Sequence, residues 1–215
     1  NRIENAPDRL PGGKFEADLS YIKVHRDTVV KAADLITNPQ ADKHIIGING
    51  MEGTGKSIIL KQICGVLLDK GFLSLSGSCT PLVQITSFGF FQDAFLRLMG
   101  FPPYTKSTDS FIKEFKKSSF YKAFSFLKGG EFGAFLNIFY PSRKDSFDNI
   151  IKNKMQMFSI LEKIIKNFAG DKNLIIVIDN FDLLDGASYD FILNMIKKGI
   201  FGAKIKLLAA YSGSK

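Results

Sequence analysis

Residues Gly50–Ser57 read Gly-Met-Glu-Gly-Thr-Gly-Lys-Ser. Glycines at these spacings, closed by a lysine and a hydroxyl, suit one kind of chemistry, the holding of a phosphate chain. Gly50, Gly53 and Gly55 let the backbone take positive φ and approach a ligand closely. The main-chain amides of Gly50, Met51, Glu52, Gly53, Thr54 and Gly55, with the start of the following helix, then face anionic oxygens. Lys56 supplies a mobile point charge for the β- and γ-phosphates, and the Ser57 hydroxyl is a ligand for Mg²⁺. The context agrees with the motif. His44–Asn49 reads as a short buried strand, and the apolar stretch after Ser57 reads as a helix.

A second group of polar residues lies far along the chain. Leu174-Ile-Ile-Val-Ile-Asp179 is a continuous apolar run ending in an acid. Such a run suits a strand buried on both faces of a parallel sheet. Its carboxyl end is where open α/β sheets bind ligands. Asp179 is therefore expected to act with Ser57 in holding Mg²⁺. Asn180 follows, where a hydrolytic site needs a carboxylate. An amide orients a water but does not take its proton. Asp182, three residues beyond Asp179, is the remaining candidate for that base. Asp179, Asn180 and Asp182 together make the expected catalytic set.

The elements that must carry these residues alternate. Helices are expected over Asp27–Thr37, Phe90–Met99, Phe132–Phe139, Ser146–Phe168 and Ser188–Lys198, and strands over Phe72–Ser78 and Lys204–Tyr211. Phe111–Lys128 reads as a basic helical stretch with Phe111, Ile112, Phe115, Phe120, Phe124 and Leu127 as a stripe, broken at Gly129-Gly130. That stripe is read as packing on the sheet, because apolar stripes on soluble helices face the core. The alternative is a basic amphipathic contact with a partner or anionic membrane. The alternation of strands and helices predicts a parallel sheet covered on both faces.

The chain has 215 residues, enough for one α/β domain, and no apolar run of membrane-spanning length. The first residues lack the apolar core of a signal peptide, and no initiator Met is present, which points to a piece of a longer, cytoplasmic chain. Cys64 and Cys79 form no recognisable disulfide or metal framework. The formal net charge is +8 and Phe occurs 21 times. The basic balance is read chiefly as a solvated lysine face, with nucleic acid or a membrane surface as the secondary expectation. No guanine-reading Asn-Lys-x-Asp segment occurs, which favours ATP and ADP as the nucleotide.

Four segments between Tyr21 and Tyr211 carry a family likeness. These are Tyr21-Ile-Lys-Val-His-Arg26-Asp27, Gly50–Ser57, Gly77-Ser-Cys-Thr-Pro-Leu with Phe88-Gly-Phe-Phe-Gln-Asp-Ala-Phe, and Asp179-Asn-Phe-Asp-Leu-Leu-Asp185-Gly-Ala-Ser188. The chain resembles the signal-transduction ATPases with numerous domains, a branch of the AAA-like P-loop ATPases found beside bacterial regulators and nucleotide cyclases. The resemblance implies a three-layer P-loop sandwich, mostly parallel, with strand order 5-1-4-3-2. Its fifth strand and helical lid would lie beyond Lys215. It implies residues 1–20 as a lead-in, residues 21–215 as the ATPase core and an insertion at about 101–145. Arg26 is carried over as a nucleotide-side residue, although His25 stands where the family has glycine. Asn180 replaces a second acid, Leu183 a tryptophan and Ser212 an arginine. Those departures imply a slow, nucleotide-dependent switch working with other domains of its chain and through self-association. An origin-recognition-like ATPase handling nucleic acid, or a nucleotide-binding scaffold without turnover, are the alternatives.

Overall fold

The computed structural model describes residues 19–38, 44–101, 108–118, 121, 124–128, 130–136, 138–139, 147–170 and 172–213. Four strands form one sheet: β1 (Ile45–Asn49), β2 (Leu73–Ser78), β3 (Leu174–Asp179) and β4 (Ile205–Tyr211). Their spatial order is β1-β4-β3-β2 and every pairing is parallel. This is the 1-4-3-2 portion of the expected order. The register sets Asn49 opposite Tyr211 and Ser78 opposite Asp179, so the carboxyl ends of all four strands open on one edge.

Helices cover both faces. On one face lie α1 (Leu19–Thr37) and α2 (Lys56–Asp69), which pack through Val29, Ala32, Ile36, Ile59, Ile63 and Leu67. The other face carries α4 (Gly89–Leu98), α5 (Thr108–Lys117), α6 (Glu131–Leu136), α7 (Phe147–Phe168) and α8 (Gly186–Lys197). A single turn, α3 (Pro81–Gln84), follows β2. Strand β3 serves both layers. Ile175 and Val177 join the α1–α2 side, while Leu174, Ile176 and Ile178 join the other. Both faces of the strand are therefore apolar, as the unbroken hydrophobic run requires.

The Phe-rich segment turns inward. Phe111, Phe115 and Phe135 are fully buried and Phe124 nearly so. Phe111 meets Phe139 at 4.9 Å between ring centroids, Phe124 meets Phe135 at 4.9 Å, and Phe95 meets Phe135 at 5.4 Å. Lys113, Lys116 and Lys117 lie on the exposed side of α5. The helix is shorter than expected. It stops at Lys117, where the Ser118 hydroxyl donates to the Phe115 carbonyl at 2.7 Å and the amide of Ser118 is shared between Glu114 and Phe115. The step from Phe115 to Phe120 is five residues, out of phase with a helix, and Phe124 reaches the core from a turn and Leu127 from the irregular stretch after it. Helix α1 departs in the other direction. It begins at Leu19, eight residues before Asp27, so the segment containing Arg26 is helical. The lead-in residues 1–18 lie outside the described residues. Among the described residues no helix is long and apolar enough to cross a membrane.

Phe111→Ala should lower the unfolding free energy by about 3–5 kcal/mol, the usual cost of removing a buried aromatic ring. Lys116→Ala on the opposite side of α5 should change it by less than ~0.5 kcal/mol. Urea denaturation of both variants checks this. Equal effects would mean that the stripe does not face the core.

Candidate functional site

The Gly50–Ser57 loop leaves the end of β1 and is folded by its own threonine. The Thr54 hydroxyl donates to the Met51 carbonyl at 2.7 Å, and the Thr54 amide donates to the same carbonyl at 3.3 Å. The Gly50 amide reaches the Tyr211 carbonyl of β4 at 3.4 Å. Gly53 and Gly55 have φ of 79° and 84°, in the left-handed region that side chains avoid. Gly50 does not take positive φ as expected. It is needed for space instead, since a Cβ there would lie 2.8 Å from the Thr54 hydroxyl oxygen. Gly55 is the N-cap of α2 and offers no side-chain acceptor, and the first turn of α2 has no acidic residue. The amides at that helix start thus keep the partial positive charge that attracts an anion.

Lys56 is buried, and its ammonium turns back into the loop. Nζ donates to the carbonyls of Gly50 and Met51, each at 2.8 Å, and to the Ser212 hydroxyl at 3.3 Å. These oxygens take up the three protons of an ammonium. A phosphate chain that draws the lysine must offer equivalent acceptors. Ser57 follows in the first turn of α2 and is half-buried, while Met51 and Glu52 are exposed along the loop. The donor set fits a nucleotide with Mg²⁺: an uncapped helix start, a recessed lysine, a hydroxyl and an acid at the end of the strand next but one.

That acid is Asp179, half-buried at the end of β3, with Oδ1 accepting the Asn180 amide at 3.0 Å. Between β1 and β3 runs only β4, so the loop and Asp179 are separated by about 10 Å of sheet. Asn180 has φ 54° and ψ 53°, a left-handed residue in which asparagine is enriched among non-glycine types. Its side-chain nitrogen donates to the Cys79 carbonyl at 3.3 Å, and the Cys79 amide donates to the Asp179 carbonyl at 2.9 Å. Asn180 therefore laces the exit of β3 to the exit of β2. A carboxylate in its place would set negative charge against a carbonyl. Asp182 lies in the 3₁₀ turn Phe181–Leu183 and is exposed. Its Oδ2 accepts the Ser212 amide at 2.6 Å.

Asp185 is a residue that motif reading undervalues. It is 1% exposed and caps α8, with Oδ1 accepting from Ser188 at 2.9 Å. The same carboxylate accepts the Phe88 amide at 2.9 Å and the Phe90 amide at 3.0 Å. Phe88 itself has φ 56°. One carboxylate thus joins the start of α8 to the start of α4 behind the site. The Asp185-Gly-Ala-Ser188 string carried a helix-start signal, but the cross-link to Phe88 joins residues 97 positions apart. The side chain of Arg26 lies outside the described residues. Burial, then the charges of Asp185, Asp93 and Asp179, push the Cys79 thiol up to about 12, and burial pushes Cys64 up to about 11.

Comparison with family models matches residues 27–211 to the KAP family P-loop domain, and the chain belongs to that family. No curated protein matches the chain. The match supports a P-loop NTPase module and gives no support to a place among the signal-transduction ATPases, whose second acid, tryptophan and arginine are the residues replaced here by Asn180, Leu183 and Ser212.

Asp185→Ala should destabilise the fold by about 3–5 kcal/mol, because three main-chain amides lose a charged acceptor in a buried place. Calorimetry checks it. A loss under ~1 kcal/mol would mean that the carboxylate is not what joins α4 to α8.

Proposed function

From membership of the KAP P-loop family and the geometry above, we propose that this module binds Mg-ATP and acts as a slow nucleotide-dependent switch in a larger protein. The observation that carries the reading is Lys56. Its ammonium is recessed inside a glycine-formed loop at an uncapped helix start, satisfied by oxygens that a phosphate chain replaces. In this reading the loop amides and Lys56 bind and orient the phosphates. Ser57 and Asp179 hold the magnesium ion, which when bound neutralises charge on the phosphate oxygens. Asn180 orients a water without accepting its proton. Its amide nitrogen is also committed to the Cys79 carbonyl, which supports turnover that is slow relative to binding.

A switch needs the occupied and empty site to favour different arrangements. The Ser212-Gly213 segment supports this role. It touches Lys56 through the Ser212 hydroxyl, Asp182 through the Ser212 amide and Asn49 through the Gly213 amide at 2.8 Å. Drawing Lys56 toward phosphate removes one of these ties. The reading extends to coupling with other domains of the same chain and to self-association.

Phosphate release and nucleotide retention by the protein with saturating Mg-ATP test the proposal, with Lys56→Ala as the zero. Release slower than about one per minute with retained nucleotide is expected, against a usual enzyme turnover near ~10 per second. Lys56→Ala should lose about 10- to 100-fold in affinity, the worth of a charge-assisted contact. Turnover of several per second would remove the slow switch and leave an ordinary hydrolase.

A further inference from the structure

Helices α7 and α8 run side by side in one direction on the outside of the phenylalanine layer. Two ion pairs cross between them, Lys154 Nζ to Asp190 Oδ2 at 2.5 Å and Lys198 Nζ to Glu162 Oε2 at 2.7 Å. Each joins residues 36 positions apart, so the helices keep one register. Lys154 and Glu162 stand about 12 Å apart along α7. Between these two levels Phe158 and Ser159 of α7 face Asn194 of α8, and a cleft of about 390 Å³ opens. Its floor is apolar. Phe158 is 7% exposed and held by Phe191 at 5.3 Å and Phe88 at 6.0 Å between ring centroids. Met155 stands on the wall with 61% of its surface exposed. The end toward Lys198 is cationic. Glu162 Oε1 accepts from Lys166 Nζ at 2.7 Å while its Oε2 holds Lys198, and Lys163 turns to Glu131 of α6. One carboxylate on the cleft thus faces three lysines, each about half exposed.

We propose that the cleft between α7 and α8 docks an acidic stretch of polypeptide from a partner: one apolar side chain seats on Phe158 and Met155, and flanking carboxylates are taken by Lys163, Lys166 and Lys198. Charge complementarity selects this occupant. On the opposite face of the sheet the exposed Lys31, Lys61 and Lys70 of α1, α2 and its cap are matched by Asp27, Asp34 and Asp69. At the C-terminal ends of α7 and α8, Lys163, Lys166, Lys197 and Lys198 gather round Glu162 and Glu131, so this end of the cleft keeps a positive excess. An incoming carboxylate shares ammoniums that Glu162 already holds in place, and so orders little new side chain. The apolar floor then adds what charge alone does not, a seat for one large side chain between two helices. A nucleic-acid strand suits the cleft less well. Glu162 and Asp190 set negative charge at its two ends, and Phe158 lies too deep for a base to stack on. A lipid surface requires apolar groups that protrude together, whereas here Met155 protrudes beside a recessed ring. The site is separate from the Gly50–Ser57 loop and does not depend on its nucleotide.

The test is fluorescence polarisation of the full chain at low ionic strength with three labelled probes of equal charge. The first is a short peptide of Asp and Glu with Leu-Phe at its centre, the second the same peptide with Ser-Gly at the centre, and the third an oligothymidylate. The Leu-Phe peptide should bind at least about tenfold more tightly than the Ser-Gly peptide, the worth of seating one large apolar side chain. Met155→Ser should narrow that preference to less than about threefold. Lys198→Glu should weaken the Leu-Phe peptide about tenfold, while Lys31→Glu, the same change of charge on α1, should leave it within about twofold. All three positions are exposed, so the variants keep the fold, and melting temperatures confirm it. Equal binding of the two peptides, or equal losses from Lys198→Glu and Lys31→Glu, would reduce the interaction to net charge and overturn the proposal. Tighter binding of the oligothymidylate would overturn it in favour of a nucleic-acid surface. Sedimentation with phosphatidylserine vesicles that Met155→Ser abolishes would overturn it in favour of a membrane contact. No binding of the Leu-Phe peptide at millimolar concentration would also overturn it.

Discussion

The insertion of β4 between β1 and β3 is the constraint on which the rest of this molecule depends. Because all strands run parallel, their carboxyl ends open on one edge, and the pairings set the ends of β1, β4 and β3 side by side. The glycine loop leaves β1, Ser212 leaves β4 and Asp179 leaves β3. Residues separated by more than a hundred positions are thereby brought within the reach of single side chains. The Gly50 amide on the Tyr211 carbonyl, the Lys56 ammonium near Ser212 and the Asp182 carboxylate on the Ser212 amide are all consequences of that one adjacency.

The two layers that hold the sheet are unequal. The α1–α2 side is aliphatic apart from Phe72 and includes the helix that begins with the phosphate-loop lysine. The other side is dominated by phenylalanine rings meeting mostly edge to face, at centroid separations of about 5–6 Å. Rings of this kind fill the space between the sheet and the helices on this face, which explains how a segment broken at Ser118 still closes a core. The lysines of α5 then have no role in that layer and stay in solvent.

Polar cross-links behind the site do the remaining positioning. Asp185 gathers three amides from α4 and α8 in a fully buried place, and Asn180 joins two strand exits while holding a left-handed backbone. Asp93 adds a further tie, accepting from the Ser78 amide at 3.2 Å and from Arg97 Nε at 2.7 Å. Each of these side chains is an acceptor or donor for main chain from a different element. Their common effect is to fix where β2 and β3 end and where the helices after them begin, and so where Asp179 stands.

Much of the site was legible without coordinates. A phosphate loop is local: its glycines, lysine and hydroxyl lie within eight consecutive residues, and the φ values at Gly53 and Gly55 follow from residue type. The apolar run before Asp179 likewise identified a strand buried on both faces, and the four strands fell within a residue of their expected limits. By itself, then, the amino-acid sequence determined the fold class, the loop between β1 and α2, and the buried strand that ends at Asp179. Other features depend on residues far apart in the chain, and only tertiary structure decided them. Asn180 and Asp182 could be read as a water-orienting amide and a candidate base from their places after Asp179. Their actual partners are Cys79 and Ser212, which no local spacing connects to them. The early stop of α5 and the early start of α1 belong to the same class, since a helix end depends on which neighbours bury its stripe. Short-range backbone chemistry is written in neighbouring residues, while the partner of a side chain is set by which strands the sheet places side by side.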